Sequence, residues 1–110
     1  MASSSASRDH PVVELPEDYR ELVKIYLDTR TADLEFIARV LAAADFPAIR
    51  RIGRNIRGSS ASYGFAAAGE IGPDLERAAQ AADGLSVAAL AERLRNYLAR
   101  VEVRYVASPG

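Results

Sequence analysis

Apolar positions recur every three or four residues along most of the chain, the period of an amphipathic helix. Leu27, Leu34 and Leu41 lie seven apart, with Val23, Tyr26, Ile37 and Val40 filling the same stripe. This predicts a first helix from Pro16 or Glu17 to about Ala44. Proline suits a first helical turn, and Glu14, Glu17, Asp18 and Glu21 complement the positive end of its dipole. Asp45 is an N-cap residue type with Pro47 just inside, so a second helix is expected there. Its apolar face is Ile49, Ile52, Ile56 and Tyr63, and Gly64 suits its left-handed end.

A third helix is expected over residues 65–82. Its face is narrow and small: Phe65, Ala68, Ile71, Gly72, Leu75, Ala78, Ala79 and Ala82. Pro73 inside this run predicts a kink, or a helix that begins at the proline. Asp83-Gly84 reads as a turn and Ser86 as the next N-cap. The fourth helix carries Leu90, Leu94, Tyr97, Leu98 and Val101. Residues 101–106 are rich in β-branched types and are expected to fray or turn extended. No strand pair is evident. The expectation is an all-α domain over residues 16–106, an antiparallel up-down four-helix bundle. Residues 1–15 read as a mobile tail and 107–110 as a second one. The alternative folds are a three-helix bundle with a broken third segment and a helical dimer.

Composition narrows the function. The chain has 110 residues, net charge −1, 49% hydrophobic and 26% charged residues, and no cysteine. That fits one soluble domain, with no disulfide, thiol nucleophile or cysteine-held metal. The charge balance argues against a general nucleic-acid or membrane-surface binder. No stretch reaches the length of a membrane helix, and the Ser- and Ala-rich start lacks an apolar signal core. The cytoplasm is the default compartment. There is no P-loop, no dinucleotide fingerprint, no zinc-protease motif and no Ser-His-Asp set. His10, the only histidine, lies in the expected tail with no carboxylate at helical spacing. Glu70 and Asp74, four apart, read as a solvated helix face.

The chemistry concentrates in residues 53–64. One face of that helix is Ile49, Ile52, Ile56 and Tyr63. Another repeats Arg50, Arg54, Arg57, Gly58 and Ala61. A glycine inside a helix costs about 1 kcal/mol relative to alanine, which suggests close approach by something else. This segment resembles the histidine-containing phosphotransfer (HPt) domain family. That family carries a helical His-x-[Leu/Ile/Met]-[Lys/Arg]-Gly-[Ser/Ala] motif. Ile56-Arg57-Gly58-Ser59 fits its last four positions, and Tyr63-Gly64-Phe65 matches a common continuation. The resemblance extends more loosely over residues 19–103, including the stretches 26–33 and 70–76. The position of the phosphoacceptor histidine is occupied by Arg54.

The resemblance implies a four-helix signalling module of two-component phosphorelays, without metal or cofactor. Its partner would be the receiver domain of a response regulator or of a hybrid histidine kinase. It implies that Arg57 would help hold a phosphoryl group and that Gly58 would leave room for the incoming receiver. Arg54 breaks the chemistry. Its guanidinium has a pKa above about 12, five donors and no lone pair to offer an aspartyl phosphate. Asn55 is no substitute, because an amide nitrogen is not nucleophilic and points about 100° away. Ser59 and Ser60 lack an activating base. The expected function is therefore a non-catalytic pseudo-phosphotransfer module that binds receivers through Arg50, Arg54, Arg57, Gly58 and Ala61, as a monomer. The alternatives are a helical scaffold or oligomerisation module outside phosphorelay, and an active protein carrying an inactivating His-to-Arg change.

Overall fold

The computed structural model describes residues 10–107. The element order is β1 (Val12–Pro16), a 3-10 turn (Glu17–Tyr19), α1 (Arg20–Ala42), α2 (Phe46–Ser62), α3 (Ala66–Gln80), α4 (Gly84–Arg100) and β2 (Glu102–Val106). The four helical periods of the sequence are four helices. Each packs on its neighbours in the chain, and α4 returns to α1, so the helices enclose one core. Phe65, Ile37, Ile49, Ile56, Leu75, Leu94, Val23 and Val87 fill it with almost no exposed surface. Burying each large side chain is worth about 2 kcal/mol.

The three helix connections share one design. After each helix, a left-handed residue reverses the chain and the next residue stands at the N-cap position of the following helix. The left-handed residues are Ala44 (φ 56°), Gly64 (φ 79°) and Ala82 (φ 53°). Asp45, Phe65 and Asp83 each donate their N–H back to the carbonyl five residues earlier, on Val40, Ser60 and Ala78. This closes the free carbonyls of the helix end. Asp45 then accepts from the Ala48 N–H at 3.2 Å, as expected of an N-cap.

At the last turn the cap is Asp83 and not the expected Ser86. The Asp83 carboxylate accepts from the Ser86 N–H at 3.1 Å and from its hydroxyl at 2.7 Å. The stronger acceptor takes the cap, and Ser86 serves from inside the first turn. Gly84 accordingly opens α4 instead of making the turn. Pro73 neither starts nor interrupts α3, which runs unbroken from Ala66 to Gln80. Proline withholds one intrahelical donor there, and packing against α2 holds the helix together.

The expectation of a wholly helical fold needs a second correction. Val12–Pro16 and Glu102–Val106 form a parallel two-stranded sheet, with Val12 opposite Glu102 and Pro16 opposite Val106. Part of the expected N-terminal tail is thus a strand, and the β-branched stretch after α4 is its partner. Leu15 is buried, and Val13 and Leu15 lie close to Gly64, so the sheet touches the α2–α3 turn. Arg20 stacks over the Tyr105 ring at 4.1 Å. The strand pair brings His10 beside a carboxylate far off in the sequence: its Nε2 lies 2.7 Å from Glu102 Oε1. Residues 1–9 and 108–110, the outer parts of the two expected tails, lie outside the described residues.

Candidate functional site

The helix α2 carries arginine at positions 50, 51, 54 and 57 and no Asp or Glu. All four arginines are exposed, as are Asn55, Gly58 and Ala61. Among the described residues, Arg50, Arg51 and Arg54 have no carboxylate within ion-pair distance. Arg57 differs, since its guanidinium lies 3.6 Å from Glu76 Oε2 on α3. The inner oxygen of Glu76 is buried without a hydrogen bond, so this ion pair is its compensation.

Gly58 sits in open space. A Cβ built there meets nothing within 4 Å. No neighbour in the fold requires a glycine at this helical position. Gly53, at the start of the same stretch, is the opposite case. A Cβ there would meet the Gly72 carbonyl oxygen at 2.7 Å and Glu76 Cγ at 3.0 Å. The small-residue face of α3 is therefore used against α2, and it fixes where α2 lies.

The other side of α2 is fixed by a polar network with α1. Arg30 is 4% exposed, in the middle of the apolar stripe Val23, Tyr26, Leu34 and Ile37. Its guanidinium donates to Ser59 Oγ and lies over the Tyr26 ring at 5.3 Å. Its Nε is 2.9 Å from Asp33 Oδ2, paired by charge but off the line of a good hydrogen bond. The Ser59 hydroxyl in turn donates to the Asn55 carbonyl at 2.7 Å. Next to it, the Tyr26 and Ser60 hydroxyls are 2.5 Å apart, and Tyr26 stacks on Phe65 with centroids at 4.6 Å. Burial pushes the Tyr26 phenol up, and burial with the nearby Tyr26 pushes Tyr97 up to about 12. Both serine hydroxyls that follow Gly58 are thus engaged in structure.

Between α1 and α2 runs an open groove of about 400 Å³, lined by Asp33, Phe36, Ala48, Arg51, Ile52, Arg54 and Asn55. Burial raises the Asp33 carboxyl above its ordinary range, against the opposing pull of Arg30. Asp33, Phe36 and Asn55 were not among the expected site residues. Their place depends on how two helices lie together, which spacing within one helix does not show. Arg30 did leave a signal: a charge in register with an apolar stripe, with Asp33 three residues on.

No proton acceptor stands on the exposed face of α2. His10 is at the start of the strand pair, beside Glu102. Glu70 is exposed, and Asp74 is taken by Arg77 and, at 3.8 Å, Arg93. Among the described residues, no group of three or more His, Cys, Asp or Glu side chains is placed to hold a metal ion. None of the described helices is long and apolar enough to cross a membrane.

No curated protein and no solved structure matches the chain. A family model, Hpt domain, matches residues 21–103, from the first turn of α1 into β2. With that match over most of its length, four packed helices and the Ile56-Arg57-Gly58-Ser59 motif on α2, the chain belongs to the Hpt domain family of phosphorelay signalling modules.

Proposed function

We propose that this Hpt domain docks receiver domains through α2 and does not carry phosphate itself. The partner is the receiver of a response regulator or of a hybrid histidine kinase. The observation that carries the docking is the empty space at Gly58. The fold gains nothing from a glycine there and bears its helix cost of about 1 kcal/mol, so the missing side chain serves something outside the chain. Arg54 supports the silence of the site, because a guanidinium has no lone pair for phosphorus. Arg50, Arg54, Arg57 and Ala61 share the exposed surface with Gly58. Such a module would compete with a phosphate-carrying relay protein for the same receivers. The reading includes an up-down antiparallel order of the helices, which the short connections favour, and a cytoplasmic monomer.

The test is binding. The protein is titrated against a panel of receiver domains, then again as Arg57→Glu and Gly58→Leu. At least one receiver binds, and each change weakens that complex about tenfold or more. If no receiver binds, or if both variants bind as the unchanged chain does, the proposal fails.

A further inference from the structure

Helix α1 buries one apolar stripe and exposes another. Leu22, Ile25, Thr29, Ala32 and Phe36 recur at alternating spacings of three and four, the spacing of a seam between paired helices. Leu22 is 46% exposed and Ile25 62%. Phe36, with the Arg39 guanidinium 5.5 Å from its ring centre, ends the seam. The two edges of this seam differ in charge. Residues that follow seam positions turn towards α2: Tyr26 reaches Ser60, Arg30 reaches Ser59, and Asp33 lines the groove. Across that edge stand Arg51 and Arg54, which share the groove with Phe36 and have no ion pair among the described residues. Residues that precede seam positions, Glu21, Asp28 and Glu35, are exposed on the other edge, about 100° round the helix. Asp28 is paired with Lys24, whereas Glu35 has no ion pair among the described residues. An apolar strip with unpaired arginines along one edge and an unpaired carboxylate along the other is its own complement.

We propose that two copies of the chain pair along this seam with their α1 helices parallel. A two-fold pair presents the same patch on both chains. With the axis running along α1, each chain sets its acidic edge against the arginine edge of the other. With the axis running across α1, acid would face acid and arginine would face arginine. Charge complementarity selects the first arrangement. Each level of the seam then faces the same level of the second copy, so Leu22 and Ile25 meet their own counterparts. Glu35, beside Phe36, comes opposite Arg51 and Arg54 of the other copy, which stand near that level across the groove. Pairing goes beyond the receiver-docking reading and needs no receiver. It adds a competing use of Arg54: the single chain docks, and the paired chain has that arginine engaged.

The experiment measures the mass of the full chain by sedimentation equilibrium from about 1 µM to about 1 mM, the span of modest association. The mass rises from one chain to two. Ile25→Asp, at an exposed position and with its fold checked by its melting curve, sets two carboxylates together in the seam and raises the Kd of the pair about tenfold or more. Glu35→Arg and the double variant Arg51→Glu/Arg54→Glu each pair about tenfold more weakly, and mixing the two restores pairing, because each then meets its opposite charge. The chain has no cysteine, so Leu22→Cys reports the direction: parallel helices bring position 22 to its counterpart, and oxidation links the two chains. A single-chain mass throughout overturns the inference. Pairing that Ile25→Asp or both charge variants leave unchanged overturns it too, as does a mixture that pairs no better than its parts. Pairing without the Leu22→Cys link overturns the parallel arrangement. A chain that never pairs but loses receiver binding in Ile25→Asp gives the seam to the receiver instead. Each of these results leaves receiver docking to stand or fall by its own titration.

Discussion

Gly53 and Gly72 meet backbone to backbone where α2 crosses α3. A Cβ on Gly72 would lie 2.5 Å from the Gly53 carbonyl oxygen and 2.7 Å from the Arg57 backbone nitrogen. These neighbours are main chain, so they cannot swing aside. The pair sets the seat of the α2 arginines as well as the helix crossing. Gly72→Ala is expected to destabilise the fold by about 2 kcal/mol, the overpacking penalty outweighing the helix-propensity gain. Denaturant unfolding measures this, and an unchanged or raised midpoint would contradict the close crossing.

Gly58 should behave in the opposite way. With nothing near its missing Cβ, Gly58→Ala is expected to stabilise the protein by about 0.5–1 kcal/mol. The same unfolding measurement decides it. Destabilisation would mean that the fold needs this glycine, and the case for a partner would lose its main support.

Ala44 and Ala82 hold left-handed conformations that cost a side-chain-bearing residue about 1–2 kcal/mol. Glycine removes that cost but adds freedom to the unfolded chain. Ala82→Gly is therefore expected to raise stability by about 0.5–1 kcal/mol, with Ala44→Gly similar. A loss of stability in both would show that these turns are built differently.

Acidity should weaken the α4 cap. The Ser86 hydroxyl, and then its backbone N–H, hold the Asp83 carboxyl below the usual carboxylate range. A depressed folded pKa contributes stability that is present above the unfolded value and lost as pH falls through the folded one. Asn at this position still caps but does not titrate. Between about pH 5 and pH 2, the melting temperature of the unchanged protein should fall more steeply than that of Asp83→Asn. Parallel curves would contradict the assignment of Asp83 as the cap.

The helices were legible because their period is local: each stripe, from Val23–Leu41 to Leu90–Val101, can be read within one element. The strand pair was not, because its partners lie about 90 positions apart and β1 is only five residues long. Ala44 and Ala82 gave no hint of left-handed turns, since alanine has no preference for them. Within the site, the exposed row Arg50, Arg54, Arg57, Gly58 and Ala61 followed from helical spacing alone. The groove with Asp33 and Phe36 depends on how α1 lies against α2. The tie from Arg57 to Glu76 depends on the α2–α3 crossing, which two glycines determine.

The proposed docking face keeps Arg57 and Gly58 of the family motif, and Arg54 stands where its nucleophile would be. The direct measurement is transfer from a kinase-phosphorylated receiver, read as acid-labile phosphate on this protein, for the unchanged chain and for Arg54→His. No phosphate is expected on the unchanged chain, and clear uptake is expected by Arg54→His. Phosphate on the unchanged chain would contradict the proposal, and so would an Arg54→His variant that binds the receiver and still takes none.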